Sequence, residues 1–340
     1  MIDREDLQRR LDGIQRVSLA HLPTPLDHAE RFSKILGGPD IWIKRDDMTG
    51  LAFGGNKTRQ LEYVFADMVA KGADTLVAGA YTQSNWCRQM TAAAKKLGLD
   101  ISLILLHGEK GPALQGNLLL DHLMGADVTV INLPTMEEIQ PHLNAKADEL
   151  RKQGRKVYVI EPLGVDSLAI GALGYVGAAL ELDRQFDERG IAPSHLYLCG
   201  ANMTPAGMAL GFKVLGRPIK LVNIAPIKWS MPRNLDIARI ANATAELLDL
   251  DHRIEANEIE SHDDYIGERY GVVTVAGNEA LQLLARTEGI ILDPVYSSKA
   301  LAGLIDHIKQ GRLTSDDGVL FIHTGGMPAL FAYADDLGLN

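Results

Sequence analysis

Lys57 follows Gly54, Gly55 and Asn56 in the segment FGGNKTRQ (Phe53–Gln60), at the first turn of an amphipathic stretch. A cation there sits against the positive end of the helix dipole. That position lowers its pKa and brings the neutral amine, which a Schiff base requires, within easier reach. The same pattern also describes a solvated lysine after a glycine turn. A second segment, TQSNWCRQ (Thr82–Gln89), sets Thr82, Gln83, Ser84 and Asn85 between a strand and a helix. Ser84 or Asn85 there is either an N-cap or, with its neighbours, a contact for a carboxylate or a ring at an open helix start. A third, CGANMTPAG (Cys199–Gly207), opens a helix after an apolar strand, with Pro205 suited to a first helical position. Its free amides and the Thr204 hydroxyl suit a phosphate. LDPVYSS (Leu292–Ser298) and IHTGGMPA (Ile322–Ala329) complete the set.

Other chemistries lack their residues. There is no GxxxxGK[ST] loop, GxGxxG fingerprint, HExxH pair, zinc-spaced Cys/His cluster or GxSxG elbow, so no metal is expected. Lys44-Arg45-Asp46-Asp47 reads as a charged turn after a strand. Tyr270 and Tyr296 are either acid–base groups or half-buried rings with a bonded hydroxyl.

The elements that must position these segments alternate. Strand-like runs are Ile41–Lys44, Thr75–Ala80, Ile101–Leu106, Asp127–Ile131, Val157–Glu161, His195–Cys199, Lys220–Ala225 and Val319–His323. Several are apolar throughout, as strands buried on both faces of a parallel sheet are. Helical spacing recurs over Thr58–Lys71, Asn85–Leu97, Met136–Gln153, Ala169–Arg189 and Asn278–Glu288. Strand–helix alternation implies an α/β fold with crossover connections. Ligand sites in such sheets lie beyond the carboxyl ends of strands, where the polar segments fall.

The 340 residues suffice for two domains, and the 46% hydrophobic, 23% charged composition is that of an ordinary globular protein. No apolar run approaches the roughly 20 residues of a membrane span, and the charged start MIDREDLQRR is unlike a secretory signal. Two cysteines, Cys87 and Cys199, fit a reducing cytoplasm. A net charge of −10 without a basic patch argues against nucleic acid and anionic membranes as partners.

Taken together, LPTPL (Leu22–Leu26), IWIKRDD (Ile41–Asp47), GGNKTR (Gly54–Arg59), QSN (Gln83–Asn85), GALGY (Gly171–Tyr175), LDPVY (Leu292–Tyr296) and HTGG (His323–Gly326) resemble, in order and rough spacing, one family. It is the 1-aminocyclopropane-1-carboxylate deaminase and D-cysteine desulfhydrase family, which includes L-cysteate sulfo-lyase. The resemblance implies the tryptophan-synthase-β-like fold (fold type II) of pyridoxal-phosphate enzymes, with two open, twisted, mostly parallel sheets and helices on both faces. It further implies a large domain from residues 1–59 and 166–340, a small inserted α/β domain at 60–165, the cofactor pyridoxal 5'-phosphate between them, and a homodimer.

Carried over by position, Lys57 matches the Schiff-base lysine that also moves the Cα proton. Asn56 and the loop Gly200, Ala201, Asn202, Met203 and Thr204 match cofactor contacts. Ser84 and Asn85, with Gln83 and Trp86 beside them, match the substrate and ring contacts, and Tyr270 and Tyr296 match two active-site tyrosines. Ser297 falls where the residue facing the pyridine nitrogen is expected, in place of the Glu of the ring-opening deaminases. A neutral hydroxyl there gives a weaker electron sink, which suits β-elimination; Thr324 also resembles the desulfhydrase side.

The implied reaction is a deaminating β-elimination of a small amino acid to a 2-oxo acid, ammonia and the β-substituent. Cyclopropane-ring deamination, racemisation and a non-catalytic amino-acid-binding protein are the alternatives. The sequence departs from the family at Met203, where Gly is common, at Gln60, where Lys is common, and at Trp86-Cys87, where small or polar residues are common. Lys228, Trp229 and Arg233 are either a seat for a second anionic group or a surface loop.

Overall fold

A computed structural model describes residues 2–162 and 164–339. The strands are β1 (Leu26–His28), β2 (Asp40–Lys44), β3 (Thr75–Tyr81), β4 (Asp100–Leu106), β5 (Asp127–Ile131), β6 (Val157–Val159), β7 (His195–Cys199), β8 (Lys220–Ile224), β9 (Ile259–His262) and β10 (Gly318–Ile322). They form a six-stranded sheet ordered β1-β2-β10-β7-β8-β9 and a four-stranded sheet ordered β5-β4-β3-β6. Only β1 runs antiparallel to its neighbour. The four strands between Thr75 and Val159 build the smaller sheet, and strands from both flanking parts of the chain build the larger one.

The apolar strand composition has a direct cause. In β7, Leu196 and Leu198 join one core while Tyr197 and Cys199 join another; in β10, Leu320 and Ile322 oppose Val319 and Phe321 in the same way. Both faces of the sheet are thus covered, and alternation with polar residues is lost. In the small sheet, Leu76 and Ala78 likewise oppose Val77.

The covering helices are α1 (Arg4–Asp12), α2 (Glu30–Leu36), α3 (Lys57–Ala70), α4 (Asn85–Lys96), α5 (Gly116–Leu123), α6 (Gln140–Lys152), α7 (Val165–Arg189), α8 (Met203–Leu215), α9 (Arg233–Leu247), α10 (Val275–Glu288), α11 (Ser297–Lys309) and α12 (Met327–Ala332). Two expectations need correction here. The stretch from Met136 is not one helix: a 3-10 turn at Met136–Glu138 precedes α6, and Pro141 stands in the first turn of α6. Helix α7 is long and apolar enough to cross a membrane, contrary to the reading of the bare sequence, but 67% of its most apolar window is buried inside the protein. It is a core helix, packed by Leu173, Val176, Ala179 and Leu180.

Below the start of α3 lies a buried ionic network. The Arg59 guanidinium donates to both oxygens of Asp46 (3.0 and 2.9 Å), to both oxygens of Glu181 (2.9 Å each) and to Thr24 Oγ1 (3.0 Å). Lys44 Nζ donates to Glu181 and to the Thr24 carbonyl, and the Tyr175 hydroxyl donates to Asp46. Burial raises the Asp46 pKa, but Arg59 and Lys44 outweigh it and hold the carboxylate below its usual range. Asp46 is therefore no part of a surface turn. The motifs LPTPL, IWIKRDD, GGNKTR and GALGY converge here, two residues from Lys57.

Candidate active site

The carboxyl ends of β3 and β7, and the segments just beyond the ends of β6, β8 and β10, surround a pocket of about 160 Å³ between the two sheets. Lys57 reaches into it from the first position of α3. Its Nζ lies 5.7 Å from the centre of the Trp86 ring and makes no hydrogen bond among the described residues. Burial pushes its pKa down to about 8, with Cys199 opposing slightly. An ammonium without partners in a desolvated site favours its neutral form, the nucleophile a carbonyl needs.

The loop carrying Lys57 is pinned from three sides. The Asn56 amide donates to the Thr324 carbonyl (2.9 Å), and a side chain on Gly325 would put its Cβ 2.6 Å from the Gly55 Cα. The Arg88 guanidinium, fully buried in α4, donates to the Gly54 carbonyl (2.8 Å) and to Asn85 and Asn117 (3.2 and 3.0 Å). Sequence reading passed over Arg88. Its signal was a charged residue at position i+3 from Asn85 on a helix otherwise buried along that face.

Opposite Lys57, helix α8 begins at Met203, with the Asn202 side chain accepting from the Met203 amide. Pro205 thus stands third in the helix. The amides of Ala201, Asn202 and Thr204 find no acceptor among the described residues. Thr204 Oγ1 accepts from Asn56 Nδ2 (2.9 Å) and Gln60 Nε2 (2.8 Å), which leaves its own proton for another acceptor. This donor set at a 13-residue helix start can hold an anion. Met203 does not obstruct it by bulk alone, because its sulfur lies in the notch left by Gly171, 2.5 Å from where a Cβ would stand. Gln60 reaches this donor set only through the Thr204 hydroxyl.

Ser84 caps α4, accepting from the Cys87 amide (3.3 Å). Asn85 Oδ1 accepts from Arg88 (3.2 Å) and Asn117 (2.9 Å), which orients the side chain and leaves its amide nitrogen as donor. The Tyr270 and Tyr296 hydroxyls hydrogen-bond each other, and Tyr81 stacks on Tyr270 at 4.6 Å between ring centres. Burial raises both phenol pKa values, so both rings stay neutral at ordinary pH.

The pocket wall therefore gathers Asn56, Lys57, Ser84, Asn85, Trp86, the Gly200–Met203 loop, Tyr270, Tyr296 and Thr324, with Thr204 behind the loop. Besides Thr204, two expected members stand off it. Ser297 begins α11 and its hydroxyl and amide fold back on the Asp293 carboxylate. Gln83 turns toward α5, accepting from the Asn117 amide (2.9 Å) and donating to the Gln115 carbonyl (3.0 Å). Both are second supports rather than wall residues. Cys199, Tyr81 and Met136 line the pocket without having been singled out.

Elsewhere, Glu260, His262 and His307 bring possible metal ligands within 4.8 Å of one another. Arg312 and Lys220 already bind the Glu260 carboxylate, and the Tyr197 hydroxyl contacts His307 Nδ1 (2.8 Å). Cations fill the place a metal would take. Cys87 and Cys199 are free and buried.

Comparison with known proteins places this arrangement. The family described as pyridoxal-phosphate dependent enzyme matches residues 17–325. The chain is 41% identical to D-cysteine desulfhydrase of Serratia proteamaculans over 333 residues, covering 96% of this chain and 98% of that one. It is 41% identical to D-cysteine desulfhydrase of Salmonella newport over 328 residues, covering 95% and 97%. A crystal structure of an ACC deaminase homologue superposes with a TM-score of 0.89 at 36% identity, covering 98% of each chain. Threonine deaminase isoform 2 of Solanum lycopersicum, at a TM-score of 0.68 and 18% identity over 99% of this chain and 88% of that one, shares the fold.

Proposed function

The chain belongs to the pyridoxal-phosphate-dependent enzymes, and from that premise we propose that it removes hydrogen sulfide and ammonia from D-cysteine to give pyruvate. It is a β-eliminating, deaminating lyase of fold type II acting on a small amino acid.

The observation that carries the reading is Lys57: a desolvated amine with no hydrogen-bond partner among the described residues, facing the proposed anion seat across the pocket. Bound pyridoxal phosphate supplies the electron sink that makes a Cα proton removable. Lys57 would hold it, and the amides of Ala201, Asn202 and Thr204 with the Thr204 hydroxyl would hold its phosphate. Lys57, once free, takes the Cα proton. Ser84 and Asn85 hold the substrate carboxylate at the start of α4, where the helix dipole favours an anion. The neutral Tyr270–Tyr296 pair can pass a proton to the departing sulfur, since each hydroxyl both donates and accepts. No carboxylate lines the pocket among the described residues, which keeps the sink weak and favours expulsion of the β-group over ring opening.

The same reading takes residues 60–165 as a small inserted domain, the remainder as the large one, the assembly as a homodimer and the setting as the cytoplasm.

The test is an absorbance spectrum of the purified protein before and after borohydride, with peptide mapping, followed by a pyruvate assay. A band fixed by reduction onto Lys57 and pyruvate from D-cysteine are expected. A colourless protein that cannot be reconstituted would turn the reading to amino-acid binding. Ring opening of 1-aminocyclopropane-1-carboxylate by the unaltered protein would favour the deaminase alternative.

A further inference from the structure

We propose that Arg88 is a positioning residue for the substrate carboxylate. From beneath the seat, through Asn85, its guanidinium supplies the positive charge that the seat's own neutral side chains lack. Asp121, at the far end of the same buried seam, sets how much of that charge the seat feels. The proposal rests on the lyase reading above, in which Ser84 and Asn85 hold the carboxylate.

Helices α4 and α5 meet along a line of polar side chains. Asn85, Arg88 and Thr91 follow at three-residue steps on α4, and Asn117 and Asp121 stand one turn apart on α5. Residues so spaced share a helix face. Asn85 lines the pocket, and the four behind it are fully buried. Asn117 donates to Asn85 Oδ1 (2.9 Å) and accepts from Arg88 (3.0 Å), which also donates to Asn85 Oδ1 (3.2 Å). Thr91 donates to Asp121 (3.0 Å). The seam thus runs inward from the pocket wall, with a cation next to its first member and a carboxylate at its end.

Arg88 differs from the buried cations of the ionic network. Arg59 and Lys44 meet carboxylates, whereas the acceptors of Arg88 are neutral: the Gly54 carbonyl and two amide oxygens. Its Nε has no partner among the described residues, and neither has Asp121 Oδ2. Burial lowers the Arg88 pKa to about 10, with Asp121 and Asp293 opposing from beyond contact, so the group stays charged at neutral pH.

A buried cation without a counter-ion costs stability, and an anion brought to Asn85 offsets part of that cost. The carboxylate gains as well, because hydroxyl and amide donors alone replace its water less fully than donors backed by a positive charge. No other cation serves the seat. Lys57 is the only lining side chain among the described residues with an ammonium or guanidinium, and it is committed to the cofactor and the Cα proton. Arg233 donates to Asp236 (2.8 Å) and to the Ala201 and Met231 carbonyls (3.1 Å each), and Lys228 is exposed, 3.5 Å from Asp263. The second-anion role open to that stretch in the sequence is therefore not supported.

The test compares propionate with propionamide, which share a shape and differ in charge. Two of the three tryptophans, Trp86 and Trp229, line the pocket, so emission reports binding. The holoenzyme is titrated at about pH 9, above the value of about 7 to which burial lifts the Asp121 carboxyl. Arg88→Met should raise the dissociation constant for propionate roughly 10–100-fold and leave that for propionamide within about threefold. Arg88→Lys, which keeps the charge, should recover most of the loss. Asp121→Asn removes the opposing charge and keeps the shape, so it should tighten propionate about threefold or more with propionamide unchanged. KM for D-cysteine should follow propionate in all three variants.

Equal weakening of both ligands in Arg88→Met, with lysine no better than methionine, would make the residue merely structural and overturn the proposal. Unchanged propionate binding in Asp121→Asn would overturn it too. Should the methionine variant fail to fold, Arg88→Lys and Asp121→Asn decide with the same two ligands. If the unaltered protein yields no pyruvate from D-cysteine, the lyase reading fails, and the ligand pair still decides the role of Arg88.

Discussion

Asn56 Nδ2 donates to Thr204 Oγ1 across 2.9 Å, joining the residue before the reactive lysine to the first turn of α8, 148 positions along the chain. This bond ties the loop that carries the amine to the helix start proposed to seat the phosphate.

Removing the shared acceptor should loosen both. Thr204→Val is expected to raise the dissociation constant for pyridoxal phosphate roughly 10–100-fold, the size of one or two hydrogen bonds to a charged group. Thr204→Ser should retain most of the affinity. An absorbance titration of the apoenzyme decides; unchanged affinity in the valine variant would refute the proposed seat.

Cofactor capture should follow the Lys57 pKa of about 8. The neutral amine grows as pH rises, so the rate of reconstitution should climb through a midpoint near 8 and level off above it. The sign for stability is the same. A lysine whose folded pKa is lowered costs stability below that pKa, and the cost disappears as pH rises from about 8 toward 10.5. A reconstitution midpoint near 10.5 would mean the amine is solvated.

Arg59→Met should destabilise the protein by about 3–5 kcal/mol, because Asp46 and Glu181 would be left as buried carboxylates without their main cation. Urea unfolding monitored by circular dichroism measures this. Glu181 is also held below the usual carboxylate range, by Arg59 against burial. The network's contribution is therefore present at neutral pH and lost as pH falls through the folded pKa values. A change under about 1 kcal/mol would mean the network is stabilised chiefly by its remaining members.

Gly171→Ala tests the notch that receives Met203. Alanine is the better helix former by about 1 kcal/mol, but its Cβ would stand 2.5 Å from the Met203 sulfur. Overpacking at about 1–3 kcal/mol should win, so the single variant is expected to be less stable and to bind the cofactor more weakly. The double variant with Met203→Gly should recover cofactor affinity. Equal losses in both would show that the two positions are not coupled.

Much of this protein was legible before folding. The apolar runs located the strands of both sheet interiors, because residues covered on both faces have no polar alternation to hide them. Glycines before Lys57 and polar residues after strands marked the site, since ligands in such sheets collect at the strands' carboxyl ends. The short strands β1 and β9 escaped notice. They are three and four residues long, they lie at the sheet edges, and they carry polar residues in LDH and IESH.

What the sequence determined by itself was local: the strands of the sheet interiors, the helices α3, α4, α7, α8 and α10 and most of α6, and which few segments carry reactive side chains, while α1, α2, α5, α9, α11 and α12 went unread. Only the tertiary structure decided where those side chains face. Ser297 turned to Asp293 while Thr324 reached the wall, Arg88 became the support for Gly54, and Asp46 became the buried partner of Arg59. Periodicity reports a side chain's direction relative to its own element. Whether that direction meets a pocket, a carboxylate or a carbonyl depends on a second element packed against it from far along the chain.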